Sequence, residues 1–162
     1  MNSPRPLDDI DMMLMETLQS QGRTKRSDLA DATGLSVPAV SERMKKLEEG
    51  GFITGYRALV DPRKMGFDVT AFIGVTVDSS KHYGAFLEKV GMTDEVVECH
   101  AITGDGTHLL KIRTRNTEGL EKLLAKIQSW HGVVKTRTRV VLSSPKETTA
   151  VPVAKSKSKN GS

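Results

Sequence analysis

Residues 27–49 read SDLADATGLSVPAVSERMKKLEE, and their spacing decides the architecture of the first third of the chain. Ser27 is expected to cap a short helix ending near Thr33 and carrying Leu29, Ala30 and Ala32. Gly34 follows, where a missing side chain allows the positive φ of a tight turn. Ser36 caps the next helix, and Pro38 sits in its first turn, where no intrahelical N–H bond is lost. Val40, Met44 and Leu47 then mark an inward stripe at four-and-three spacing, and Gly50-Gly51 stops it. Upstream, Asp8 is placed as N-cap of a first helix with Asp11 at its third position and Leu7 stapled onto Met12. Ile10, Met13, Leu14, Thr17 and Leu18 form its apolar face. Phe52 to Val60 reads as a short extended stretch, and Asp61-Pro62 begins a linker.

From Asp68 onward the period changes to two. Val69, Ala71, Ile73, Val75 and Val77 share one face of a strand. Tyr83, Phe86, Leu87 and Val90 mark a helix, and Glu95 to Ile102 and His108 to Thr114 two strands. Leu120, Leu123, Leu124 and Ile127 mark a second helix, and Val133 to Leu142 a last strand. The order βαββαβ predicts a ferredoxin-like antiparallel sheet with both helices on one face, leaving the other face in need of a partner. The fold class is therefore α+β. The domains are a helix-turn-helix unit at 1–60, a linker at 61–67, the βαββαβ unit at 68–142 and a disordered Lys/Ser tail at 143–162, too poor in apolar side chains to offset the entropy of ordering.

The 162 residues hold one or two small domains and no large enzyme fold. One cysteine excludes an internal disulfide framework. No apolar run approaches the roughly 18 residues of a membrane span, and the first residues lack the apolar stretch of a signal peptide. These features predict a cytoplasmic protein without a membrane partner. The net charge of +4 is uneven: residues 1–60 carry 8 basic and 9 acidic side chains, 61–142 carry 12 and 10, and 143–162 carry 4 and 1. Overall charge is thus a weak argument for nucleic acid; the case rests on placement within the helical unit.

That placement is suggestive. A Gly-containing turn between two helices is the geometry by which the second enters a DNA major groove. Ser36, Val37, Pro38, Ser41, Glu42 and Lys45 lie toward the base edges in this reading, with Arg23, Lys25, Arg26, Arg43 and Lys46 placed to meet phosphates. A plain three-helix bundle with a solvated charged face accounts for the same pattern. The acids of the first helix and the cations of the turn and third helix segregate, which favours double-stranded DNA.

The motifs together resemble the Lrp/AsnC family of bacterial and archaeal transcription regulators. The resemblance runs from Leu7-Asp8-x-x-Asp11 through Gly22-Arg23, Asp28-Leu29-Ala30, Gly34-Leu35-Ser36 and Val40-x-x-Arg43-x-x-x-Leu47-Glu48-x-x-Gly51-x-Ile53-x-Gly55-Tyr56. It continues in Asp61-Pro62-x-x-x-Gly66, Val97-x-x-x-x-x-Thr103-Gly104-Asp105 and Gly132-Val133-x-x-Thr136-x-Thr138. It implies a winged or plain helix-turn-helix reader joined to a sensing domain that dimerises through its sheet, often builds octamers, and binds amino acids or related metabolites between subunits. The function implied is sequence-specific transcriptional regulation by a homo-oligomer with a small-molecule effector. The alternative is a weakly specific architectural nucleoid protein with the same DNA domain.

The effector site expected from this resemblance comprises Gly104, Asp105, Gly106, Thr107 and His108 with Thr136 and Thr138. The loop Thr103-Gly104-Asp105-Gly106-Thr107-His108 departs from the family, which commonly has a Tyr, an Asp and a Tyr after Gly-Asp. Backbone N–H groups at 104–106 suit a carboxylate, and Asp105 suits an α-ammonium group. Asp-Gly is equally the favoured two-residue hairpin turn. An exposed His108 would make the response pH-dependent or be incidental. Thr136 and Thr138 share one strand face, with Lys135, Arg137 and Arg139 on the other, read as solvated. Cys99 and His100 point to opposite faces, so no metal site is expected. No cofactor is expected, and no nucleophile-base pair or carboxylate dyad points to an enzyme. An RNA-binding βαββαβ module needs aromatic side chains on its central strands, and His108 to Thr114 has none.

Overall fold

The computed structural model describes residues 6–153. The chain divides into two compact units, Met1–Leu59 together with the C-terminal residues from Glu147, and Val60–Lys146.

The first unit is built on α1 (Asp9–Ser20), α2 (Arg26–Thr33) and α3 (Val37–Glu49). Asp8 caps α1 as expected, accepting from the Asp11 N–H while the Asp11 carboxylate accepts from the Asp8 N–H. Leu14, Leu18, Leu29, Ala30, Val40, Met44 and Leu47 form the core, with Leu7, Ile10, Met15, Leu35 and Ile53 packed against it. Met13, placed inside by spacing, is 43% exposed, and Met15 packs inward instead. The cap of α2 also differs from expectation. Lys25 occupies the N-cap without a side-chain bond, and Ser27 lies inside the first turn, donating to Asp28. Gly34 has φ 69°, and the Gly34 and Leu35 N–H groups both donate to the Ala30 carbonyl, closing the turn. Ser36 caps α3 by accepting from the Ala39 N–H, with Pro38 in the first turn. Beyond α3, the Phe52 and Ile53 N–H groups donate to the Leu47 carbonyl, and residues 54–60 form no strand, in place of the extended stretch anticipated.

The second unit has β1 (Val69–Val77), α4 (Tyr83–Gly91), β2 (Val96–Ala101), β3 (His108–Thr114), α5 (Thr117–Gln128) and β4 (Val133–Val140). The sheet order is β2-β3-β1-β4, with every neighbouring pair antiparallel. This is the ferredoxin-like βαββαβ arrangement predicted from the change of period. Ala71, Ile73, Val75, Val77, Leu110 and Ile112 pack against Phe86 of α4, Leu120, Leu123 and Ile127 of α5, and Trp130. Leu87 of α4, expected inside, is 47% exposed. The alternate β1 residues Thr70, Phe72, Gly74 and Thr76 belong to the opposite face, where this unit has no helix.

The expected disordered tail lies outside the described residues from Ala154 onward. Before it, residues 143–153 have no helix or strand, yet Val151 is held on α1.

Candidate nucleic-acid interface and effector loop

Burial of Val40, Met44 and Leu47 turns the opposite side of α3 outward. Val37 is 44% exposed, and Pro38, Glu42, Lys45 and Lys46 are exposed beside a half-buried Ser41. Ser36 is exposed at the helix start, where its hydroxyl is engaged as the cap. Arg23, Lys25 and Arg26, in the turn leading into α2 and its first residue, are also exposed. Lys45 pairs with Glu49 at 3.7 Å and Lys46 with Glu42 at 3.2 Å, each one turn apart. Such exposed pairs are worth about 0.3–0.5 kcal/mol and exchange readily for a phosphate.

Arg43 does not join this surface. Its Nη1 donates to Asp8 Oδ2 at 2.7 Å, Asp8 Oδ1 at 2.8 Å and Asp11 Oδ1 at 2.9 Å. The expected phosphate contact is thus a clamp between α3 and the capping box of α1. The hydrogen bond to Asp8, followed by that to Asp11, pushes the guanidinium pKa up despite the opposing effect of burial. The signal was present in the spacing: Arg43 lies three residues after Val40 and four before Leu47, on the edge of the inward stripe. A second clamp escaped sequence reasoning. The Tyr56 hydroxyl donates to Glu48 Oε1 at 2.9 Å, and burial followed by this carboxylate pushes the phenol up to about 12.

The loop between β2 and β3 is longer than a two-residue hairpin turn. The Ile102 N–H donates to the Thr107 carbonyl, enclosing residues 103–106. Gly104 and Gly106 have φ 99° and 106°, while no described non-glycine residue has positive φ. A type I′ Asp-Gly turn, which requires positive φ at both residues, is therefore not what forms here. Gly106 also packs closely: a Cβ there would lie 3.2 Å from the Val75 carbonyl oxygen. Asp105 reaches across to β4, accepting from Arg137 Nη1 and lying 3.8 Å from Lys135 Nζ. Arg137 and Lys135, read from sequence as a solvated face, are therefore the partners of the loop acid.

Register separates the remaining residues proposed for the effector site. Thr136 and Thr138 pair with Val75 and Ile73 of β1, so they point to the helix-covered face, and Thr136 Oγ1 accepts from Gln128 of α5 at 2.8 Å. Arg137 pairs with Gly74 and points the other way. Within one chain, Thr136 and Thr138 do not share a face with Arg137, the partner of Asp105. Thr107 is occupied locally: its hydroxyl accepts from the Val77 N–H, donates to the Val75 carbonyl and lies 2.9 Å from His108 Nδ1. His108 is only 2% exposed, against the expectation of an exposed residue, with ring contacts to Tyr83 and Phe86. Burial lowers its pKa, favouring the neutral ring. Strand parity explains the correction, since His108 alternates in step with the buried Leu110 and Ile112.

Cys99 pairs with Leu110 on the core side and His100 with Leu109 on the other, so the two side chains diverge as expected. No group of three or more potential metal ligands occurs among the described residues. Nor is any helix among them long and apolar enough to cross a membrane.

Residues 7–54 match a winged helix-turn-helix DNA-binding model, and residues 70–151 match the Lrp/AsnC ligand binding domain. The chain belongs to the Lrp/AsnC family. It is 38% identical over 148 residues to the HTH-type transcriptional regulator FL11 of Pyrococcus horikoshii, covering 91% of this chain and 97% of that protein. The structure of Escherichia coli AsnC aligns with a TM-score of 0.85 at 34% identity, over 91% of this chain and 100% of that one. A transcriptional regulator from Neisseria meningitidis in complex with L-Met aligns with a TM-score of 0.87 at 30% identity, over 91% and 97%. This Lrp/AsnC chain is a DNA-binding transcriptional regulator with a ligand-binding domain, and the relatives it matches are regulators rather than enzymes.

Proposed function

We propose that this chain is a cytoplasmic, sequence-specific regulator whose DNA affinity is set by an amino acid or a related small metabolite held at the loop after β2. The observation that carries the effector reading is the Asp105 carboxylate set against Arg137 and Lys135 on the open side of the sheet. Acid and base side by side complement the ammonium and carboxylate of an α-amino acid, each of which exchanges one of these exposed ion pairs for its own. The L-Met bound by the similar Neisseria meningitidis regulator supports this ligand class. Gly104, Asp105 and Gly106 remain in the proposed site, now with Arg137 and Lys135; Thr107, His108, Thr136 and Thr138 support it from the core side.

The helix-free sheet face supports a homodimer, extendable to an octamer, that pairs two copies of α3. Two such helices read half-sites about 10 bp apart or multiples of that. Ser36, Val37, Pro38, Ser41, Glu42 and Lys45 serve the bases, and Arg23, Lys25, Arg26 and Lys46 the phosphates. An architectural protein draws its affinity mainly from phosphates and DNA deformation. The exposed Val37, Pro38 and Glu42 of α3, which offer a phosphate no cation, favour selective reading instead.

A thermal-shift series over the L-amino acids, including L-Met, and their keto acids tests the effector reading on intact protein. An amino acid at 100 times its Kd adds about 2.7 kcal/mol of stability, and Asp105→Asn is expected to remove that gain. No shift with any member of the series, or an undiminished shift in Asp105→Asn, rules against this assignment.

A further inference from the structure

Away from the loop after β2, two imidazoles meet across two turns of the βαββαβ unit. His82, in the turn before α4, and His131, in the turn before β4, lie 49 positions apart in sequence, and their Nε2 atoms stand 3.3 Å apart. The ring centroids are 4.4 Å apart, so the rings lean together at their Nε2 ends. Backbone bonds build the place. The Asp78 N–H donates to the Gly132 carbonyl at 2.8 Å, joining the two turns where β1 ends and β4 begins, at the pair Val77 and Val133. The His82 N–H donates to the Ser79 carbonyl, and its ring lies against Gly132, where a Cβ would stand 2.9 Å from Nδ1. The Asp78 carboxylate accepts from His82 Nδ1 at 2.6 Å. With that proton on Nδ1, the Nε2 of a neutral His82 ring keeps its lone pair. His82 is half-buried and His131 exposed, so the paired nitrogens are held in place yet reachable from solvent.

We propose that His82 and His131 together bind one Zn2+ ion, with Asp78 orienting His82 from behind. Imidazole nitrogen suits zinc and other first-row transition ions, whereas Mg2+ and Ca2+ take oxygen ligands. The spacing selects the geometry. At Zn–N distances of about 2.0–2.1 Å, nitrogens 3.3 Å apart subtend about 104–111° at one ion, which brackets the tetrahedral angle of about 109°. The right angle of a square-planar or octahedral site would put them about 2.8–3.0 Å apart at those bond lengths. Asp78 behind His82 makes a carboxylate–histidine–metal relay, which fixes the tautomer and raises the basicity of the ligating nitrogen. Water fills the two remaining positions. The ion is therefore held more weakly than in a closed four-ligand centre and exchanges with solution. Bonded to both rings, it fastens the turn before α4 to the turn before β4. The competing arrangement is a hydrogen bond from the His131 Nε2–H to the same His82 lone pair, which needs no ion.

The test is calorimetric titration of Zn2+ into the full chain, carrying no affinity tag and stripped of metal by a chelator, with Mg2+ as the control ion. The parent is compared with His82→Gln, His131→Gln, Asp78→Asn and His100→Gln. The parent is expected to bind one Zn2+ per chain and no Mg2+. His82→Gln and His131→Gln are each expected to lose that site, and Asp78→Asn to bind about 10-fold to 100-fold more weakly. His100→Gln, which alters an exposed histidine on β2, is expected to match the parent. Because His131 is exposed, His131→Gln decides the matter even where His82→Gln fails to fold. Its circular dichroism and metal-free Tm are expected to equal the parent's, while Zn2+ raises the Tm of the parent alone. A parent that takes up no Zn2+, as the hydrogen-bonded pair predicts, overturns the proposal. Parent-like binding in His131→Gln, or loss of the site in His100→Gln, overturns it as well by placing the ion elsewhere. Undiminished affinity in Asp78→Asn overturns the part given to the carboxylate.

Discussion

Replacing Arg43 by Met is expected to loosen the helical unit while leaving its phosphate contacts intact. The substitution keeps the aliphatic bulk and removes the donors that join α3 to Asp8 and Asp11. Its two arms differ in worth. Asp8 is 44% exposed on its side chain, so that arm counts as a near-surface pair worth about 0.5–1 kcal/mol. Asp11 is 2% exposed, and a hydrogen bond to such a charge is worth roughly 1.5–3 kcal/mol. Together the loss is about 2–3 kcal/mol, since the two arms share one nitrogen and do not add fully. Hydrogen exchange on the intact protein reads this directly. Amides of α1 and α3 are expected to exchange about 30-fold to 150-fold faster, with β1 and β3 unchanged as an internal reference. The slope of DNA affinity against salt is expected to stay within error of the parent. A phosphate contact gives the reverse pattern: unchanged exchange and a slope lowered by about 0.9. That result would refute the clamp.

Three further outcomes follow from the sheet unit. His108 is buried with a lowered pKa, so the unfolded chain takes up its proton more readily. Stability is therefore expected to fall as pH drops from about 6.5 toward the folded pKa, and His108→Phe to flatten that part of a Tm profile between pH 7.5 and 5. Gly132 has φ 84°, and a Cβ there would meet the Cβ of His82 at 2.8 Å; Gly132→Ala is expected to cost about 2 kcal/mol or more in urea unfolding. Thr136→Val removes the bond from Gln128, costing about 1 kcal/mol while leaving any ligand-induced thermal shift intact. Loss of the shift at unchanged stability would return Thr136 to the effector site.

Much of the architecture was legible because it depends on local periodicity. The caps at Asp8 and Ser36, the turn at Gly34 and the stripe Val40, Met44, Leu47 follow from spacing within one or two turns. The alternation through Val69 to Val77 likewise identified the buried face of β1. Pairings distant in sequence were harder. The direction of Thr136 depends on its register against Val75, which no pattern within β4 reveals. The ion pair from Asp105 to Arg137 spans 32 residues, and the tie from Gln19 to Val151 spans 132. Charged side chains add another difficulty, because a guanidinium on an outward-leaning position reads as a phosphate contact until its acidic partners are located. Arg43 and His108 both depart from the sequence expectation although spacing and strand parity point inward. In each, a polar residue type suggests exposure where its position on the element calls for burial.

The most direct measurement is binding of the intact protein to DNA fragments selected from a random pool, titrated with and without the amino acid that gives the largest thermal shift. The expected result is a symmetric recovered motif with half-sites about one helical turn apart or a multiple, bound at least 10³-fold more tightly than random DNA, with affinity changed by that amino acid. Equal affinity for selected and random duplexes, untouched by any amino acid, would contradict a metabolite-controlled regulator that reads sequence through α3.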